Sequence, residues 1–150
     1  LSRALLITVI ILSLIGLADS GYAIHQHYAP AGESACNVSA TVNCDTVNQS
    51  EYSELFGIPV AAIGAAGYLI FIALSAMLLY GFRFNGLTLL ALLGSVLFGL
   101  AYSLYLTYVE IYVLGAVCPM CIISLTLLFA INAVVVAGYA REWRGRHGQD

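Results

Sequence analysis

The sequence predicts an all-α integral membrane protein, a four-transmembrane-helix bundle with an extracytoplasmic loop and a short half-helix lid. Three observations lead there. Of its 150 residues, 61% are hydrophobic and 9% charged, far from the average soluble composition. The apolar residues gather in four runs, 4–24, 60–80, 87–108 and 119–139. Each holds about 20 residues, enough at ~1.5 Å rise per residue to cross a ~30 Å hydrocarbon core. Their uniform character marks helices rather than alternating barrel strands, because a lipid-embedded backbone must satisfy its own polar groups. Residues 1–150 thus read as a single membrane domain.

The first run needs comparison with a secretory signal peptide. Arg3, the apolar stretch Ala4–Leu17 and the small residues Ala18, Ser20 and Gly21 have that character. Apolar residues resume at Tyr22, Ala23 and Ile24, however, and the extended run is long enough to span. The sequence opens on Leu1 rather than Met, so native residues are expected before it.

Basic residues set the orientation. There is no lysine, and the arginines are Arg3, Arg83, Arg141, Arg144 and Arg146. With four spans they all fall on one side, which the positive-inside rule makes cytoplasmic. The opposite side carries Glu33, Asp45, Glu51, Glu54 and Glu110. Both termini are therefore expected in the cytoplasm, with the loop at about 29–58 and the connection 109–117 outside the cell membrane. That places Cys36, Cys44, Cys118 and Cys121 on one extracytoplasmic surface, where disulfides form and persist.

The loop turns through Ala31–Ser34, and seven residues rich in Asn, Ser, Thr and Val separate Cys36 from Cys44, a mixture suited to moving. Residues 45–54 predict a short helix lying on the bundle as a lid. Ser50 with Glu51, and Ser53 with Glu54, offer capping chemistry, and Val47, Leu55 and Phe56 form a weak apolar stripe. Gly57-Ile-Pro59 ends it.

Within the spans, Gly64, Gly67, Gly94, Ser95 and Gly99 permit close helix approach. Asp19 either faces the bundle interior or reaches the outer headgroups. Tyr102, Tyr105, Tyr108 and Tyr112 recur at helical spacing, as an interfacial aromatic belt or, for Tyr102 and Tyr105, as the wall of a pocket.

Cys118-Pro-Met-Cys121 carries the chemistry. Pro119 suits the first position of a helix, making Cys118 the N-cap and setting Cys121 one turn in. Both thiols then lie near the positive helix end, which favours the reactive thiolate. Four cysteines could also bind zinc, but no His accompanies either pair; His25 and His27 end the first span. Cys36–Cys44 could be a structural staple. The redox alternative is a relay in which an outside thiol reduces the loop pair, which reduces Cys118–Cys121. No heme, dinucleotide or flavin motif is visible, so the acceptor reads as a diffusible lipid-soluble quinone.

Taken together, Cys36-x7-Cys44, Ser50 six residues later, Phe56-Gly57, Ser103-Leu-Tyr105-Leu and the final C-P-M-C resemble the vitamin K epoxide reductase family in its prokaryotic branch. The resemblance implies a four-helix bundle around a quinone of menaquinone or ubiquinone type. It implies that Cys121 faces the quinone, that Cys118 exchanges with a loop cysteine, and that Val47 and Ser50 close the pocket. Tyr105 and Leu125 complete the expected quinone contacts. Leu125 is a departure, since animal members carry a tyrosine four residues after the second C-x-x-C cysteine. Several bacterial relatives carry a fused thioredoxin-like domain; this sequence ends at Asp150, so a separate extracytoplasmic thioredoxin-fold partner is expected. The implied activity is quinone-dependent thiol–disulfide oxidoreduction supporting disulfide formation. The alternatives are net reduction of a quinone or its epoxide, and a non-catalytic membrane subunit with structural disulfides. No metal or nucleic acid enters any of these readings.

Overall fold

A computed structural model describes residues 1–30, 32, 34–81 and 85–147, with 85, 146 and 147 by backbone alone. Arg83 and Glu33, used above for orientation, and Ala31 of the expected turn lie outside the described residues.

Four long apolar helices dominate: α1 (Arg3–Tyr28), α3 (Val60–Leu79), α4 (Asn85–Val109) and α5 (Pro119–His147). Each is long and apolar enough to cross a membrane, and the chain is a multi-pass membrane protein. α1 and α5 outrun the expected spans, continuing to Tyr28 and His147 because helical hydrogen bonding does not stop at the edge of the apolar run. α1 packs on α3 and α5, and α4 packs on the same two, so the helices close into a ring.

Every helix contributes to the core. Val9, Tyr68, Phe71, Leu92, Val96, Leu128, Ile131 and Val135 form one buried cluster. Gly16 makes room for Tyr68, since a Cβ there would lie 2.3 Å from the ring carbon Cζ. Gly99 works in the same way at ordinary contact distance, 3.4 Å from Phe71 and 3.6 Å from Leu128. Gly67 and Gly94 have open space instead.

The expected single half-helix is three short pieces. α2 (Cys44–Asn48) is capped by Asn43, whose side chain accepts the Thr46 N–H at 3.0 Å. A 3-10 turn follows at Glu51–Ser53, whose N-cap Ser50 makes no side-chain cap. The Ser50 hydroxyl instead donates to the Val47 carbonyl at 2.8 Å. β1 (Glu54–Leu55) and β2 (Ile58–Pro59) then form a minimal hairpin. Its two turn residues, Phe56 and Gly57, have φ of 54° and 78°. Positive φ at both positions matches the twist of a two-residue hairpin, and this backbone preference overrode helix continuation. Leu55 and Phe56 consequently leave the expected stripe and point outward, Phe56 being 97% exposed. Only Val47 turns in.

Candidate active site

The loop and the C-P-M-C meet at one end of the bundle. Val42 pairs with Val117 in a parallel bridge, the Asn43 N–H donating to the Val117 carbonyl at 3.2 Å and the Val117 N–H to the Thr41 carbonyl at 2.8 Å. This clasp lays the second loop cysteine against the start of α5. Cys36 and Cys44 form a disulfide with Cα atoms 5.8 Å apart, while Cys118 and Cys121 are free thiols. The Cys118 and Cys44 sulfurs are 3.2 Å apart, and both residues are 0% exposed. Cys36 keeps 8% of its surface.

A buried carboxylate pins the loop. The hydroxyl of Ser34 donates to Asp45, the Gly32 N–H donates to it at 2.6 Å, and the Asn37 side-chain amide donates at 2.7 Å. Ser34 also lies 2.5 Å from the Gln26 amide at the end of α1. Its single proton has two acceptors in reach, the Asp45 carboxylate and the Gln26 side-chain oxygen. These donors, Ser34 first, hold the Asp45 carboxyl below the usual carboxylate range despite burial. This network ties the loop to the end of α1.

His27 provides the second tie. Its Nδ1 lies 2.5 Å from the Asn48 carbonyl and its Nε2 3.1 Å from the Glu54 carboxylate. A carbonyl only accepts, so Nδ1 carries the proton. The end of α1 thus holds both the lid helix and the hairpin.

α5 begins at Pro119, with Cys118 just before it. The Cys118 N–H donates to the Glu110 carboxyl at 3.1 Å, and Glu110 and Cys121 line the same cavity. The neighbouring Cys121 thiol draws the Cys118 thiol below the ordinary thiol range against its burial. Cys118 is therefore the better nucleophile and leaving group of the pair. No group of three or more His, Cys, Asp or Glu side chains suited to a metal occurs among the described residues.

Behind Cys121 opens a cavity of about 370 Å³ between the helices and under the lid. Its wall is mostly apolar, with Phe71, Phe98 and Tyr102 among the rings and Asp19, Glu110 and Ser124 among the polar side chains. Such a space, large enough for a ring and lined by few polar groups, suits an apolar small molecule. Tyr68 lies one turn deeper than Cys121, its hydroxyl 2.7 Å from that of Ser124.

The expected site residues divide. Cys36, Cys44, Cys118 and Cys121 come together, and Val47, Ser50 and Cys121 line the cavity. Tyr105 and Leu125 are not among the residues that line this cavity. On α4 the wall follows Ser95, Gly99, Tyr102, Ser103 and Leu106, a helical row that leaves Tyr105 turned away, 54% exposed and with its ring centroid 6.3 Å from that of Tyr102. On α5 the row is Cys121, Ser124 and Leu128, so Ser124 takes the place expected for Leu125. Asp19 faces the cavity, which settles its two alternatives in favour of the interior.

Sequence reasoning missed Asp45, His27, Asn43 and Glu110. Glu110 had a legible signal, an acid at the end of a span eight residues before Cys118. Asn43 carried a local signal too, an N-cap three residues before Thr46, whereas His27 and Asp45 depend on partners farther along the chain.

The model of the vitamin K epoxide reductase family matches residues 7–136, from the second turn of α1 to most of α5 and so including all four cysteines. That family comprises membrane oxidoreductases linking disulfides and quinones. With its four membrane-length helices, its loop disulfide and its C-x-x-C at the start of the last span, the chain belongs to the vitamin K epoxide reductase family.

Proposed function

We propose that the protein takes electrons from an extracytoplasmic thioredoxin-fold dithiol protein and passes them to a membrane quinone, so making disulfides. The observation that carries this reading is the 3.2 Å approach of Cys44 to Cys118, with Cys121 on the cavity wall behind them. A structural staple has no need of a second sulfur so close.

The path has two exchanges. A partner thiolate attacks Cys36, the less buried loop sulfur, and Cys44 leaves as thiolate. The partner's second thiol closes its own disulfide and leaves the loop reduced. Cys44 then attacks Cys118 of an oxidised Cys118–Cys121 pair, releasing Cys121, and Cys36 resolves the Cys44–Cys118 bridge. The result is a loop disulfide above two free thiols, the state observed here. The inner dithiol then gives two electrons and two protons to the quinone and returns to a disulfide.

Val47 and Ser50 form the lid over the quinone, with Tyr102 and Ser124 on the wall. Arg3, Arg141 and Arg144 favour cytoplasmic termini and an extracytoplasmic cysteine end. The test is quinone reduction by a reduced thioredoxin-fold protein, followed by absorbance, in wild type and Cys121→Ala. Wild-type turnover falling to background in the variant is expected; turnover retained by Cys121→Ala overturns the reading.

A further inference from the structure

The C-P-M-C pair has three ionisable groups rather than two. Glu110 is 2% exposed and belongs to a π-helical turn, Glu110–Leu114, that closes α4. Turns of this kind recur where a helix is bent to serve a site. Here the turn and the left-handed Gly115, at φ 61°, bring the chain back upon Glu110. The Gly115 and Ala116 N–H groups donate to its backbone carbonyl, Ala116 at 3.1 Å, and the Cys118 N–H donates to its carboxyl. The carboxyl is thus fixed against the backbone of Cys118, and Glu110 lines the cavity together with Cys121.

The Cys121 thiol has one proton and two neighbours that can take it, Cys118 in the cluster it packs on and the Glu110 carboxyl on the cavity wall they share. Directed to Cys118, it keeps Cys118 as the thiolate for exchange with Cys44. Moved to Glu110, it leaves Cys121 as the thiolate facing the cavity. Those are the two protonation states that the two halves of the proposed cycle require. A buried acid that only shaped the loop would need the Cys118 N–H and not a place on the cavity wall that Cys121 shares.

The geometry points to Glu110 as the catalytic acid–base residue of the quinone step, an assignment that rests on the quinone-reducing function proposed above. The step balances as follows. Cys118 enters as thiolate, its proton already lost to water. Cys121 gives its proton to the Glu110 carboxylate. The sulfur–sulfur bond forms between Cys118 and Cys121, and the two electrons released reduce the quinone. Glu110 returns its proton to one quinone oxygen, and water supplies the proton of the other, giving hydroquinone. Other titratable groups on the cavity wall are Asp19 and His27 from α1, Tyr52 from the lid, Tyr68 from α3 and Tyr102 from α4.

Glu110→Gln tests this because it keeps an oxygen for the Cys118 N–H but cannot carry the proton. Full-length protein in detergent, prereduced with dithiothreitol, is mixed with a short-chain quinone and followed through one turnover. Glu110→Gln is expected to slow the quinone step by about a hundredfold, the range of general acid–base catalysis, and to flatten its pH profile. Its Cys44–Cys118 mixed disulfide should form as in wild type. Glu110→Asp should recover part of the rate. A wild-type quinone rate and pH profile in Glu110→Gln overturns the assignment, and so does equal loss of both steps in Gln and Asp variants, which marks a scaffold. Infrared difference spectra of chemically reduced and oxidised protein supply a readout without quinone. A carboxyl band that changes with the redox state and vanishes in Glu110→Gln supports the proton site even if wild type reduces no quinone, an outcome that would remove the proposed function alone. No such band overturns the site itself.

Discussion

The two cysteine pairs each have a buried acid, and the two acids are held in opposite ways. Asp45 beside the loop pair receives hydrogen bonds from Ser34, Gly32 and Asn37, none of which takes part in exchange. Glu110 beside the helix pair receives the Cys118 N–H and shares the cavity wall with Cys121, so its surroundings are the exchanging pair itself. A carboxylate satisfied by bystanders fixes a position, whereas one set on the same cavity wall as a reacting thiol can share its proton. The loop pair is therefore held in place by a structural acid, and the inner pair is served by a chemical one.

Removing sulfur gives the largest separation of the two halves. Cys121→Ala should end quinone reduction while leaving the loop disulfide intact, and mass mapping of the disulfides checks both in one sample. A smaller effect is expected at Asp45. Asp45→Asn replaces charge-assisted bonds, at a cost of about 1.5–3 kcal/mol to the ordered loop. It should speed reduction of Cys36–Cys44 by a phosphine and leave the quinone step of prereduced protein unchanged.

The same site predicts a pH dependence. The folded Asp45 carboxyl titrates below its unfolded value of ~3.9, so its stabilisation is complete above that value and drains as pH falls through the lower folded one. Loop protection in wild type should hold at pH about 5 and fail only in stronger acid, whereas Asp45→Asn should show no loss over that window.

Gly16→Ala should show the smallest effect, and on the opposite side of the comparison. The new methyl would overlap Tyr68, displacing its hydroxyl from Ser124 one turn below Cys121. Overpacking of this kind costs about 1–3 kcal/mol. A lowered melting temperature with a weakened quinone KM, and an unchanged loop disulfide, is the expected pattern.

Much of the fold was legible because length and uniform apolarity are sufficient for membrane helices. The four cysteines were legible because C-x-x-C at a helix start and a short loop pair carry chemistry in their spacing. The lid was harder. Ser50 and Glu51 look like a cap, yet Asn43 caps α2, and Phe56-Gly57 takes a hairpin turn that the apolar stripe conceals. Tyr102 and Tyr105 are equivalent in a list of tyrosines, and only the rotation of α4 in the bundle distinguishes them. Asp45, His27 and Glu110 looked like surface charges because their partners come from other segments.

The central claim is that Cys44 is the loop cysteine that exchanges with Cys118, and trapping tests it most directly. With Cys36 and Cys121 both replaced by Ser, the remaining two sulfurs should oxidise to a Cys44–Cys118 bridge, detected by mass mapping of acid-quenched protein. In the companion variant with Cys44 and Cys121 replaced, Cys36 should not bridge to Cys118. Bridging of Cys36 to Cys118 without bridging of Cys44 would contradict the account.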